Sequence, residues 1–242
     1  MNDRSPAPAL LLLGLLLATG VALGGWFVGR GLFRARATER AVTVRGFSER
    51  EVPADLVLWP LTFTVTADDL AALQERADQA AARIVAFLRG TFEAGEYTVA
   101  APRIQDRQAE GMFGREGQRL DRYVAEGTVA VRTGKIGEAR AMMARTTELV
   151  KQGIPIVRRY DQSTQYLFTG LERIKPEMIA EATKDARRAA ERFAADSGAH
   201  VGGIRTAQQG LFTIEDRDPF SPEVKRIRVV TTVQYALEED GP

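Results

Sequence analysis

Apolar and polar positions alternate with period two over Asp55–Thr66. Trp59, Leu61, Phe63 and Val65 share one face and Thr62, Thr64 and Thr66 the other, which predicts a half-buried strand. Pro60 cannot donate to a ladder, so this strand is expected at a sheet edge or a bulge. The period then changes. Leu70, Leu73, Ala77, Ala81, Ile84 and Leu88 recur at helical spacing and Gly90 ends the run, with Thr66 and Asp69 resembling a capping box before it. Tyr97–Ala100 and Ile104-Gln105 read as two short strands, and Tyr123–Arg132 alternates again. Ile136, Ala139, Met143, Thr146 and Val150 form a second helical stripe stopped by Gly153. Ile154–Val157 and Tyr166–Phe168 are short strand candidates, and Val42, Val44 and Phe47 belong to an opening strand.

The last third carries the clearest pattern. Pro176 suits a first helical position, where its missing N–H is an orphan anyway. Ile179, Ala182, Ala186, Ala190 and Phe193 form the apolar stripe, and Gly198 is the stop. Leu211–Ile214 and Lys225–Leu237 follow as strands, the second with Ile227, Val229, Val233, Tyr235 and Leu237 on one face. Strands and helices thus come in clusters, which argues an α+β fold with helices packed on antiparallel sheets. Arg107–Arg122, charged and glycine-bearing without a period, is expected as an exposed, mobile hairpin loop.

Ahead of all this, Ala7–Gly29 carries no charge. As a helix it would span roughly 34 Å, enough to cross a bilayer core. Trp26 and Phe27 stand where interfacial aromatics belong. The run is long for a cleavable signal, although Ala22-Leu23-Gly24 would serve as a small-x-small site. The chain therefore parses into a tail (1–6), a transmembrane anchor or uncleaved signal (7–29), a juxtamembrane linker (30–39), an α+β domain (40–238) and a short tail (239–242). Arg4 alone precedes the span, whereas Arg30, Arg34, Arg36 and Arg40 follow it. Flanking charge by itself would keep the domain cytoplasmic.

Overall charge is +1, and the part beyond residue 39 is close to neutral. No basic face is implied, which argues against a nucleic-acid partner. Cysteine is absent, so disulfides, thiolate metal sites and cysteine nucleophiles are excluded. His200 is the one histidine, and none of Ser48, Ser163, Ser197 or Ser221 sits in a nucleophile elbow. Glu215-Asp216-Arg217-Asp218 lacks the spacing of a calcium loop and reads as a hairpin tip. Arg158 and Arg159 with Arg103 and Arg107 either make a local cationic surface or are scattered solvated arginines. No catalytic, cofactor-binding or metal-ligating residue is nominated, and a non-enzymatic role is expected. An enzyme working through carboxylates alone is the remaining catalytic alternative.

The block Ile174–Ile179 through Ala189–Ala194, then Gln209–Phe212 and Val229–Val233, resembles the SIMPL-domain family, as do Val42–Gly46 and Val52–Asp55. The resemblance covers roughly Arg40–Leu237, and its motifs are structural rather than catalytic. It implies a bacterial cell-envelope protein, secreted or anchored by its N-terminus, with an α+β domain that tends to form homo-oligomers; with the apolar run at 7–29, the expected location is the inner membrane by a single span, with the domain periplasmic. Members are linked to envelope and oxidative-stress phenotypes, an animal relative is a signalling adaptor, and no agreed reaction belongs to the family. The resemblance thus favours an extracytoplasmic domain against the flanking arginines. The expected mode of action is self-association or partner binding, with a small-ligand or lipid-binding module as the alternative.

Overall fold

The computed structural model describes residues 16–30, 40–109, 120–157 and 159–239. Residues 16–30 are helical (α1), with Leu16, Leu17, Val21, Trp26 and Phe27 all exposed. Arg30 stacks on Trp26 at 5.3 Å. No helix among the described residues is long and apolar enough to cross a membrane. The first part of the expected span, from Ala7, lies outside them, as does most of the linker.

The domain is α+β, as its periodicities predict. It divides into two compact units: one takes the chain up to Ser48 with Glu177–Leu211 and everything from Val229, the other Glu49–Pro176 with Phe212–Arg228.

The second unit is built on β2 (Leu56–Ala67), β3 (Tyr97–Asp106) and β4 (Tyr123–Thr133), with two short strands, β5 (Ile156–Val157) and β6 (Gln165–Leu167). Their order is β3-β4-β2-β5, and β6 also pairs with β2. The alternation of β2 does put Val57, Trp59, Leu61 and Phe63 inside. They meet Ala125, Val129 and Val131 of β4 and the inward stripe Leu73, Ala77, Ala80, Ile84 and Leu88 of α2 (Leu70–Leu88). Helices α3 (Ile136–Ala144) and α4 (Thr147–Lys151) add Ala139, Met142 and Leu149 to that core.

Several expectations change here. β2 is not an edge strand: β4 pairs along its length, and β5 and β6 occupy its other side at Thr62-Phe63 and Leu56–Leu58. Pro60 falls in the interval between the two short strands, where that side of β2 runs no ladder and needs no donor. Asp69, not Thr66, caps α2: its Oδ1 accepts from the N–H groups of Ala71 and Ala72. Thr66 instead donates to Asp121 Oδ2. The two short strands before the loop are one, β3, interrupted by a register shift between Ala100 and Arg103, where Pro102 cannot donate. The ends of the hairpin loop are tied by Arg107 N–H to the Arg122 carbonyl and by Arg122 to Asp106 at 2.7 Å. Its middle, 110–119, lies outside the described residues.

The first unit contains most of β1 (Ala41–Pro53), α5 (Leu171–Asp196) from Glu177 on, β7 (Ala199–Gln209) and the later part of β9 (Val224–Glu239). Strand order is β1-β9-β7. Val44 of β1, Ala186 and Ala190 of α5, and Val233 and Tyr235 of β9 form its core. Helix α5 begins at Leu171, five residues before Pro176, so the proline lies inside it. Its buried stripe is Met178, Ala182, Ala186, Ala190 and Ala194. Phe193, expected inside, is 61% exposed. The alanine stripe lets β1 come so close that a Cβ on Gly46 would overlap the Ala182 carbonyl and lie 2.8 Å from Ala186 Cα. Beside that contact the Phe47 N–H donates to Asp185 Oδ2 at 3.2 Å and Ser48 Oγ donates to Glu181 Oε2 at 2.6 Å. Gly198 ends α5 with φ +68°, the left-handed conformation glycine supplies.

Candidate functional site, a groove on the outer sheet face

Pairing register puts Glu126, Thr128, Ala130 and Arg132 of β4 on one face of the second unit's sheet, opposite the face that α2 covers. Across from them stand Arg103, Ala100 and Thr98 of β3, and Thr62, Pro60 and Leu58 of β2. Short side chains dominate this array, so the face is shallow. Longer ones rise around it and enclose a groove of about 660 Å³.

One wall is the segment Arg159–Gln165, which includes a 3-10 turn (Tyr160–Gln162). Gln162 Oε1 accepts from Thr62 Oγ1 at 2.8 Å and from Thr128 Oγ1 at 3.5 Å. This latch leaves Thr62 only 2% exposed although it lies on the outer face. Buried hydroxyls need such partners. Behind the same segment lies a slot of about 350 Å³ lined by Trp59, Leu61, Met143, Ile156 and Val157.

Charge is unevenly committed. Arg159 bonds Asp161 through Nε at 3.0 Å and Glu126 through Nη1 at 3.0 Å. Those hydrogen bonds, Asp161 first, raise the Arg159 pKa, and Arg159 in turn holds the Asp161 carboxyl below its ordinary value. Arg103 and Arg132 line the same groove, and neither guanidinium has a carboxylate partner among the described residues.

The arginines singled out by sequence therefore part company. Arg103 and Arg159 meet in one groove. Arg107 closes the neighbouring loop, and Arg158 lies outside the described residues. Arg132, Glu126 and the threonine-alanine floor were not singled out, because a small, polar alternate face looks like any solvated face until the register aligns three strands. His200 is the second residue of β7, opposite Glu238. The acidic cluster Glu215–Asp218 falls on β8 (Thr213–Asp216) and the turn to β9, as expected of a hairpin. Asp216 pairs with Lys225, and Arg217 with Asp218 and Glu51. No group of side chains fit to hold a metal ion occurs among the described residues.

The most perturbed carboxylate lies outside the groove. Lys135 Nζ at 2.8 Å, Thr133 Oγ1 at 2.5 Å and the Glu93 N–H at 2.8 Å all donate to Glu96. Lys135 above all holds its pKa at about 2 instead of 4.5. Every donor is a structural neighbour at the entry to β3 and α3, so we read this as a clamp rather than a proton-transfer site.

Compared with curated proteins, the chain matches none. The family model described as "SIMPL: Protein of unknown function (DUF541)" matches residues 42–235, nearly the whole of the domain. On that match the chain belongs to the SIMPL-domain family.

Proposed function

We propose that this SIMPL-domain protein is a single-pass envelope protein that works without catalysis, by binding a partner in the groove of its second unit. The observation that carries this reading is the groove itself: concave, about 660 Å³, and lined by two guanidiniums, Arg103 and Arg132, that no carboxylate neutralises among the described residues. The apolar, uncovered α1, its tryptophan stacked by Arg30, supports membrane attachment. An extracytoplasmic domain follows the family resemblance against the flanking arginines, since long C-terminal domains translocate with little regard to flanking charge. A lipid-binding role is less well supported, because the space between α2 and its sheet is filled by core side chains.

Photo-crosslinking tests the groove. A photoreactive residue at Ala130, on the floor, should give a discrete adduct in intact membranes. The same residue at Gln79, exposed on α2, should not. Equal labelling at both positions would remove the groove reading. Orientation is tested by a reporter active only outside the cytoplasm, fused after Leu237, which is expected to be active.

Self-association is a second reading, and the strand β7 favours it. That strand borders its sheet, and most of its residues are exposed, so its backbone groups are open to another subunit. Light scattering on the full chain in detergent, with a β7 edge variant such as Thr206→Pro, checks whether any oligomer depends on it.

A further inference from the structure

We propose that the groove takes an extended acidic peptide with carboxylates about six residues apart; this rests on reading the groove as a binding surface. Arg159 is already engaged by two carboxylates, and those carboxylates by it. What remains uncommitted among the described residues is one positive charge at each end, Arg103 and Arg132. Arg103 pairs in register with Glu126, and Arg132 lies six residues further along β4, a distance of roughly 20 Å at strand rise. A second extended chain has the same rise, so its side chains of matching parity reach both ends. Guanidinium forks match carboxylates bidentately, which makes the end contacts directional as well as attractive.

The floor between the ends suits a backbone. Thr98, Ala100, Thr128 and Ala130 are short, so a chain can lie close. The Nε2 of Gln162, unpaired among the described residues, and the hydroxyls of Thr98 and Thr128 offer polar partners. A helix, about 10–12 Å across with its side chains, sits less closely on so flat a strip. A nucleic acid would bring a phosphate at every residue, including against Glu126 and Asp161. An acidic peptide with neutral small residues between its two carboxylates places one on Arg132 and one on Arg103, where the neighbouring Glu126 is already held by Arg159, and brings no charge against the floor between them.

The test is fluorescence anisotropy on the full chain in neutral detergent micelles, using labelled Ala/Ser/Thr peptides. One carries two glutamates about six positions apart, one has them about three apart, and one has glutamine at both places. The wide-spaced peptide should bind about tenfold or more tightly than the other two. Arg103→Ala and Arg132→Ala should each cost about tenfold while leaving the melting curve unchanged. Arg205→Ala, exposed in the other unit, should leave binding unchanged. Affinity independent of spacing, or insensitive to both groove arginines, would overturn the proposal. So would displacement by an acidic polysaccharide but not by excess unlabelled wide-spaced peptide. If no peptide binds yet a photoreactive residue at 130 still forms its adduct, the peptide class is wrong and the groove reading survives. If both fail, both fall.

Discussion

Gly46→Ala puts the packing of the first unit under a single-methyl test. The added Cβ would stand 2.8 Å from Ala186 Cα and closer still to the Ala182 carbonyl oxygen and the Ala186 nitrogen, where ordinary contact begins at 3.4 Å. All three are backbone atoms of α5, so no side chain can rotate away. Relief requires β1 and the helix to separate by about 1 Å, which also stretches the Ser48–Glu181 and Phe47–Asp185 hydrogen bonds. Overpacking of this kind costs about 1–3 kcal/mol, and rigid atoms on both sides place the site at the upper end. Restricting the unfolded chain gives back about 0.4–1 kcal/mol. The expected net loss is about 2 kcal/mol, or about 4–8 °C in melting temperature for a chain of this size. Circular dichroism melts of the full chain in detergent measure it, with Gly95→Ala as control, since nothing lies within 4 Å of that position. Hydrogen exchange should localise the loosening to β1 and α5. A Gly46→Ala protein melting within about 1 °C of wild type would refute the close approach.

Met178→Ala, at a fully buried position, should destabilise by about 2–5 kcal/mol, whereas Phe193→Ala should stay within about 0.5 kcal/mol in the same urea titration. The depressed pKa of Glu96 means its ionised form stabilises the fold above about pH 4.5, and that contribution is lost as pH falls from 4.5 towards 2. Wild type and Glu96→Gln should therefore differ in melting temperature at pH 7 and converge near pH 2, and a constant gap would count against the clamp.

How far the sequence speaks depends on what each residue faces. β2, β4, α2 and the later half of β9 were legible because each has one wet and one dry face, which writes its period into the chain. β7 has none of that. Its pattern Ala-His-Val-Gly-Gly-Ile-Arg-Thr-Ala-Gln-Gln reflects an edge strand exposed nearly throughout, and the periodicity predicts no strand there. α5 misled differently. Phe193 is the largest apolar residue near the stripe, but the buried positions from Met178 to Ala194 advance in steps of four, and Phe193 points about 100° away from Ala194. The helix keeps alanine inside because β1 needs the room. Pro176 signalled a start that Leu171–Lys175 overrides. The groove was the least legible feature: its charges come from β3, β4 and the segment after β5, and only pairing register brings Arg103, Glu126, Arg132 and Arg159 together.

The strand order β1-β9-β7 has a consequence for timing. Among the described strands, the central one of the first unit's sheet, β9, comes about 180 residues after its neighbour β1. Closing a loop of about 180 residues adds little to the equilibrium cost, since each doubling of length takes only about 0.6 kcal/mol. The delay is another matter. At about 5–20 residues per second, β1 waits roughly 10–40 s after synthesis for the strand that completes its sheet. Throughout that interval Val44 and Gly46 have no sheet, and α5 emerges with its alanine face uncovered. Such non-local closure folds slowly. Truncation anywhere before β9 therefore removes the centre of a sheet rather than its margin, and the nascent chain depends on whatever shields it until β9 arrives.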